Sequence, residues 1–339
     1  MRSNPPHPPV PAVVDVALVA PMLSPAAVLR AMLESGTTLR VGGVHDGISA
    51  LLAERCGMNA LWASGLGIAA AHGVPDANIL TLTEVRDAVA VIARTSSLPV
   101  IADGDTGYGE ARSLRRLIQE FERAGVAAVC IEDKLYPKRN SFLDGQELID
   151  PCEFAMKLRL AKSTQRDPDF VVIARIESLV AGESSEQALD RARLYAEAGA
   201  DAIVIHSKAR EPDEVLDFAR AWRDAGQKTP LVAIPTTYSA VTIADLRDVG
   251  IATVIYANQG LRAAVRAMES TFREIVASGS SASVEPLLAP VARVFELTDE
   301  AEIDRSDAWF AEGLAHARRT RHLNAAAIES ATDFPRING

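Results

Sequence analysis

Several polar residues in this sequence stand where apolar runs stop. Ile101-Ala102 gives way to Asp103-Gly104-Asp105, Ile131 to Glu132-Asp133-Lys134, Ala174 to Arg175 with Glu177 beyond it, and Ile205 to His206-Ser207-Lys208. Three further runs end in Trp62-Ala63-Ser64-Gly65-Leu66, in Pro235-Thr236-Thr237 and in Asn258. Asp103, Asp105 and Glu132 are hard oxygen donors with no set of cysteines or histidines beside them, so Mg²⁺ suits them better than Zn²⁺. Arg175 carries a planar fork that matches a phosphate or carboxylate. His206 can offer a ring N–H to an anion, and Gly65 lets a backbone N–H come close to a ligand carboxylate. The polar stretch EDKLYPKRNSFLDG at 132–145 is bracketed by Pro137 and Gly145. It reads as a lid that carries Lys138, Arg139 and Asn140 over a site.

Each of these residues alone has an ordinary explanation. Asp-Gly-Asp is a common turn, an arginine after a strand is often a surface ion pair, and a basic loop is often simply solvated. Carboxylates, cations and a histidine that all close successive apolar runs describe one polar cluster, which is the default signature of a site.

The runs themselves supply the scaffold. They are 39–43, 60–64, 98–102, 127–131, 170–175, 202–206, 231–235 and 252–257, each close to continuously apolar. Strands covered on both faces read this way. Helical patterns separate them, for example 113–125 with Leu114, Leu117, Ile118 and Phe121 on one face, 184–199 between a serine cap and Gly199, and 211–226 with an acidic start and Gly226 at its end. Eight alternations predict a (β/α)₈ barrel, in which the C-terminal ends of the strands form the active face. The first turn, GGVHDG, lacks the G-x-G-x-x-G spacing of a doubly wound dinucleotide fold.

The expected organisation is a Pro-rich, disordered leader at 1–20, the barrel at 21–278, and a joint at SGSSASV, 278–284. Additional helices at 279–330 would pack on the barrel or on a neighbouring subunit, and a tail at 331–339 follows. The formal net charge of −10 comes without any block of Lys and Arg, so nucleic acid is not an expected partner. No stretch approaches the roughly 18 uninterrupted apolar residues of a membrane span. Cys56, Cys130 and Cys152 are odd in number and lack CxxC spacing, which argues against a disulfide framework and for a reducing cytoplasm.

At these residues the chain resembles the phosphoenolpyruvate mutase/isocitrate lyase superfamily, and within it the mutase branch. The matching strings are GVHDGISA, LWASGLGIAAAHGVPDAN, ADGDTGYG, EDKLYPKRNS, ARIES, GADAIVIHSK and the stretch from IPTTYSAVT to IYANQGLRAAV, in one order between Leu39 and Phe295. The resemblance implies that Asp103 touches Mg²⁺ most directly, with Asp76, Asp105 and Glu132 holding its waters. It implies that Ser64, Gly65 and Leu66 meet the pyruvyl end of a substrate and that Trp62 walls the pocket. Arg175 and His206 would bind the transferring phosphoryl group, and Lys138 and Asn140 would close on it from the lid. Asp76, Arg175, His206, Lys138 and Asn140 would carry the catalysis. The implied reaction interconverts phosphoenolpyruvate and 3-phosphonopyruvate for phosphonate biosynthesis, through a loose metaphosphate-like transfer. The implied assembly is a homo-oligomer, a dimer or a tetramer with late helices exchanged between subunits.

Two departures separate this chain from its neighbours in the superfamily. C–C lyases resembling it carry a catalytic cysteine in the lid, whereas this lid reads Lys138-Arg139-Asn140-Ser141. Phosphonopyruvate hydrolases resemble mutases closely but tend to have threonine in place of Asn140. Tyr136 sits where mutases often show phenylalanine. The alternatives to an isomerase are a phosphonopyruvate hydrolase, a C–C lyase acting on a substituted malate, and a non-catalytic barrel that binds an anion or scaffolds a partner. The last leaves the carboxylate cluster without a purpose, since like charges held together cost stability unless a cation neutralises them.

Overall fold

The structure, a computed structural model, describes residues 23–320. The expected leader at 1–20 and tail at 331–339 lie outside the described residues, as does 321–330 of the expected late helices. Eight parallel strands, β1 (Leu39–Val44), β2 (Ala60–Ala63), β3 (Val100–Asp103), β4 (Ala128–Glu132), β5 (Val171–Ile176), β6 (Ala202–Ile205), β7 (Leu231–Ala233) and β8 (Ile251–Tyr256), pair in sequence order. β1 also pairs with β8, Val41 opposite Ile255, so the sheet closes into a barrel. The (β/α)₈ expectation holds, and every predicted apolar run supplies one strand.

The helices in chain order are α1 (Pro25–Glu34), α2 (Gly47–Arg55), α3 (Gly65–Ala71), α4 (Leu82–Thr95), α5 (Ala111–Arg123), α6 (Pro151–Thr164) and α7 (Ser178–Ala181). They continue with α8 (Ser185–Glu197), α9 (Asp213–Asp224), α10 (Ile243–Asp248), α11 (Gln259–Ser278), α12 (Val291–Leu297) and α13 (Glu300–Thr320). α8 begins at a capping box in which Ser184 and Gln187 satisfy each other's backbone N–H groups. α5 buries the predicted stripe of Leu114, Leu117, Ile118 and Phe121.

Period-two alternation sorts the strand residues into two apolar layers. Val100, Ala102, Val129, Ile131, Val172, Ala174, Ile203 and Ile205 face the helices. Trp62, Ile101, Cys130, Ile173, Val204 and Ile234 fill the barrel interior. α1 closes the opposite, N-terminal end: Leu29 and Leu33 join the interior cluster, and Arg30 Nη2 reaches Asp201 at 3.0 Å beside the start of β6. The late helices are less buried. α11 buries none of its residues, and α12 touches the barrel layer through Glu296, whose Oε1 lies 3.0 Å from Arg55 on α2.

Candidate active site

One further step of two along each strand carries the inward face from apolar to polar. Trp62 is followed by Ser64, Ile101 by Asp103, Cys130 by Glu132, Ile173 by Arg175, Val204 by His206 and Ile234 by Thr236. The alternation that fills the barrel therefore places these six side chains in a ring at its C-terminal mouth. Trp62, Ser64, Leu66, Asp76, Asp103, Glu132, Lys138, Asn140, Arg175 and His206 all line a single cavity of about 60 Å³ there. Every one of them was a candidate from sequence.

Gly65 and Asp105 stand behind this lining instead of in it. The Gly65 N–H, expected to meet a ligand carboxylate, donates to Asp103 Oδ2 at 3.3 Å. A Cβ at Gly65 would lie 3.0 Å from that same oxygen and 3.3 Å from Asp105 Oδ1, so a side chain would press on both carboxylates. Gly104 is equally constrained, since a Cβ there would meet the Val129 side chain at 2.7 Å. Its neighbour Asp105 adopts φ +48°, a left-handed conformation that costs energy for a residue with a side chain. The Asp-Gly-Asp turn thus aims two carboxylates at one place.

Asp76, from the loop after α3, faces the same place, and the lid supplies the opposing cation. Lys138 Nζ lies 2.6 Å from Asp76 Oδ1 and against Asp105 Oδ1. Burial works against its charge, but Asp105, Asp103, Asp76 and Glu132 outweigh it and hold the ammonium well above its usual pKa. Burial pushes the Asp105 carboxyl up to about 7; Lys138 opposes this, and Asp103, Asp76 and Glu132 add to it. Three carboxylates, Asp76, Asp103 and Asp105, thus share one buried ammonium, while Glu132 lies between Lys134 and Arg175. Glu132 Oε1, also buried, has no hydrogen-bond donor among the described residues. An excess of hard oxygen donors with an unfilled acceptor fits a divalent cation such as Mg²⁺. Among the described residues no group of three or more acidic, histidine or cysteine side chains is arranged to hold a metal ion by itself. A Mg²⁺ ion held through one or two carboxylates and several waters requires none.

The other half of the ring is cationic and tightly bonded. Arg175 Nε donates to Glu177 and lies 3.4 Å from Glu132 Oε2, while Nη2 donates to Ser141 Oγ at 3.2 Å. Nδ1 of His206 lies 2.8 Å from Glu177 Oε1 and 2.9 Å from Arg175 Nη2. If Nδ1 holds the ring proton it donates to Glu177 and Nε2 accepts. If Nδ1 accepts from Arg175, Nε2 becomes the donor. Burial lowers the His206 pKa, with Glu177 opposing and Arg175 reinforcing, so the ring is neutral near pH 7.

Sequence reasoning passed over several residues that complete this arrangement. Lys134 and Glu177 are the next inward positions after Glu132 and Arg175, so the same step of two pointed to them, yet no role followed from it. Asn78 gave no signal at all. Its Nδ2 donates to Asp105 Oδ2 at 2.7 Å and its Oδ1 accepts from the Lys138 N–H at 2.7 Å, which ties the lid to the carboxylate loop. Asn140 Nδ2 adds a second tie, to Asp76 Oδ2 at 3.1 Å.

The sequence profile of the phosphoenolpyruvate phosphomutase family matches residues 29–276. The chain belongs to that family. The phosphoenolpyruvate phosphomutase of Tetrahymena pyriformis is 41% identical over 281 residues, 82% of this chain and 93% of its own. A crystal structure of phosphoenolpyruvate phosphomutase from Streptomyces platensis subsp. rosaceus superposes with a TM-score of 0.82 at 44% identity, covering 84% of this chain and 99% of that one. Phosphonopyruvate hydrolases are also similar. The Variovorax sp. (strain Pal2) enzyme is 43% identical over 79% of this chain and 93% of its own. A hydrolase crystal structure in complex with oxalate and Mg²⁺ has a TM-score of 0.79 at 38% identity, covering 84% of this chain and 99% of that one. Membership of the phosphomutase family makes this chain an enzyme, and the ring at the barrel mouth is its candidate active site.

Proposed function

We propose that this enzyme interconverts phosphoenolpyruvate and 3-phosphonopyruvate, breaking an O–P bond and forming a C–P bond within one bound molecule. The observation that carries this reading is the division of the ring. Carboxylates on β3 and β4 face the lid ammonium of Lys138, and Arg175 with His206 stands across the same small cavity. Asp103 would hold Mg²⁺ directly, with Asp76, Asp105 and Glu132 on its waters, and the ion when bound supplies positive charge beside the oxygen of the pyruvyl unit.

The protein's own residues do the rest by position and charge. Trp62, Ser64 and Leu66 seat the pyruvyl end. The Ser64 hydroxyl oxygen already accepts from the Gly67 N–H at 3.1 Å, which leaves its O–H as a donor. The guanidinium of Arg175 has more N–H donors than its protein bonds use, and His206 with Nδ1 accepting from Arg175 offers Nε2–H. These donors, with Lys138 and Asn140 above them, would hold the phosphoryl group while it is bonded to neither oxygen nor carbon. Phosphoryl transfer has a loose transition state, so fixed cations and exclusion of water supply most of what it needs. The enolate carbon then takes the phosphorus, and no proton enters or leaves. A cavity of about 60 Å³ has room for a few waters only, so the lid must open to admit the substrate.

A C–C lyase reading finds no thiol to serve it. Cys130 is buried in the barrel, where burial and Asp103 push its pKa well up, and Cys56 and Cys152 are exposed away from the lining. Hydrolysis is the closer competitor. Phosphorus NMR of the protein with phosphonopyruvate and Mg²⁺ separates the two. The expected product is phosphoenolpyruvate, abolished by EDTA, and accumulation of inorganic phosphate in its place would make the enzyme a hydrolase. Asn140→Thr removes the amide that ties the lid to Asp76 and is expected to raise the phosphate share of product several-fold. An unchanged ratio would remove Asn140 as the determinant.

The working enzyme is proposed to be a homo-oligomer, cytoplasmic and serving phosphonate biosynthesis. Val265, Met268, Phe272 and Val276 form one exposed apolar stripe along α11 at spacings of three and four, and Val291, Val294 and Phe295 on α12 are exposed as well. A stripe of this kind on a folded protein marks an interface, and a second copy carries the matching surface. Light scattering after gel filtration is expected to give a multiple of 36.2 kDa. Phe272→Glu should shift the population towards the monomer, and a monomeric wild-type protein would overturn the proposal.

A further inference from the structure

Lys134 is the one fully buried lysine at the barrel mouth that neither the carboxylate cluster nor the phosphoryl half of the ring accounts for. It is 2% exposed, and its backbone forms an antiparallel bridge with Leu148, so it stands at the root of the lid where the chain leaves and returns. Its ammonium lies 3.6 Å from Glu132 Oε1 and 3.4 Å from Glu177 Oε2. Those two carboxylates, with Arg175, make a charge-balanced buried group. Its hydrogen bonds, however, go to the lid: Nζ donates to the Arg139 carbonyl at 3.1 Å and to the Ser141 hydroxyl. Ser141 in turn donates to Glu177 Oε2 at 3.1 Å and accepts from Arg175 Nη2.

The lid is therefore held along two edges. One edge, Lys138 and Asn140, is tied to Asp76, Asn78 and Asp105. The other, Arg139 and Ser141, is tied from below by Lys134. A charge needed only to balance Glu132 and Glu177 would have no reason to spend its donors on a loop carbonyl and a hydroxyl. Buried polar groups at a mobile segment hold it to one geometry because leaving them unpaired is costly.

We propose that Lys134 is a positioning residue that latches the inner edge of the lid over the site and so keeps water from the transferring phosphoryl group. The inference rests on the isomerase reading for its chemical consequence. When the latch fails, water reaches the phosphorus after the C–P bond of phosphonopyruvate breaks. The water oxygen bonds to phosphorus, a water proton passes to the enolate carbon, and the products are phosphate and pyruvate.

The test uses Lys134→Met, Ser141→Ala and the double variant in the full chain. Hydrogen exchange without substrate is expected to speed up about tenfold or more for amides of 135–147 in each variant, with the barrel strands unchanged. The double variant should speed exchange by less than the product of the two single effects, because the Lys134–Ser141 bond is lost in both, and full multiplication would overturn the latch. With phosphonopyruvate and Mg²⁺, the phosphate share of product should rise by a similar factor, with kcat falling more than KM changes. Lid exchange unchanged in Ser141→Ala, which leaves every charge in place, would overturn the latch even if Lys134→Met did not fold. Faster lid exchange with an unchanged product ratio would overturn the sealing role. If the wild-type protein formed no phosphoenolpyruvate, the isomerase reading would fall, and the exchange data alone would decide the latch.

Discussion

Asp103→Ala is expected to lower kcat/KM by about three orders of magnitude or more, equivalent to about 4 kcal/mol of transition-state stabilisation. Asp103 is the inward residue after Ile101, and its carboxylate joins the two halves of the candidate metal site. Oδ2 accepts from the Gly65 N–H at 3.3 Å and Oδ1 from the Asp105 N–H at 3.3 Å. Removing it leaves two backbone donors unpaired, at a cost of about 1–3 kcal/mol each if they stay dry. It also relieves repulsion that helps to raise the pKa of Asp105. The two effects oppose each other, so the variant should fold while losing its metal. The readout separates these outcomes. If Mg²⁺ binds the folded state as proposed, it should raise the melting temperature of the wild-type protein in a concentration-dependent way, and Asp103→Ala should abolish that rise. Asp103→Asn keeps an acceptor for Gly65 and should restore stability without restoring turnover. Full activity of Asp103→Ala at low Mg²⁺ would remove the assignment of Asp103 as the principal ligand.

The strand ends were legible because one rule governs both the core and the site. A barrel strand shows alternate residues to the interior, and the first polar residue on that face must stand at the mouth. Asp103, Glu132, Arg175 and His206 follow from Ile101, Cys130, Ile173 and Val204 without knowledge of the fold's details. The same step reaches Lys134 and Glu177, whose pairing with each other only the folded chain brings about. What sequence could not supply were contacts between segments far apart in the chain. Asn78 meets Lys138 across 60 positions, and Lys138 meets Asp105 across the barrel mouth. Such pairs depend on where the lid lands, which no local pattern encodes. Closeness, the property Gly65 is expected to provide, is seen at the Asp103 carboxylate. α1 lies inside the expected barrel range, and its sequence carries the start signals Ser24 and Pro25 with Leu29 and Leu33 on one face.

Arg175→Lys is expected to lower kcat by about a hundredfold to a thousandfold while leaving the fold intact. The argument turns on geometry and not on charge. Arg175 reaches Glu177 and Glu132 through Nε and reaches Ser141 and His206 through Nη2, so one planar group binds the floor, the lid and the histidine together. A lysine ammonium can replace the charge beside Glu177 and Glu132 but cannot span to the other partners or present a fork to a phosphoryl group. His206 would lose the Nη2 contact at its Nδ1, and Ser141 would lose one of its two donors. Arg175→Ala should behave differently. Burial works against the charge of Glu177, and Arg175, His206 and Lys134 together hold its pKa well below the usual carboxylate range. With Arg175 gone, two buried carboxylates share Lys134, and a loss of about 3–5 kcal/mol in unfolding free energy is expected. Denaturant unfolding and steady-state kinetics on both variants make the comparison. Wild-type kcat in Arg175→Lys would show that positive charge alone suffices, and the role of the fork in holding the phosphoryl group would have to be given up.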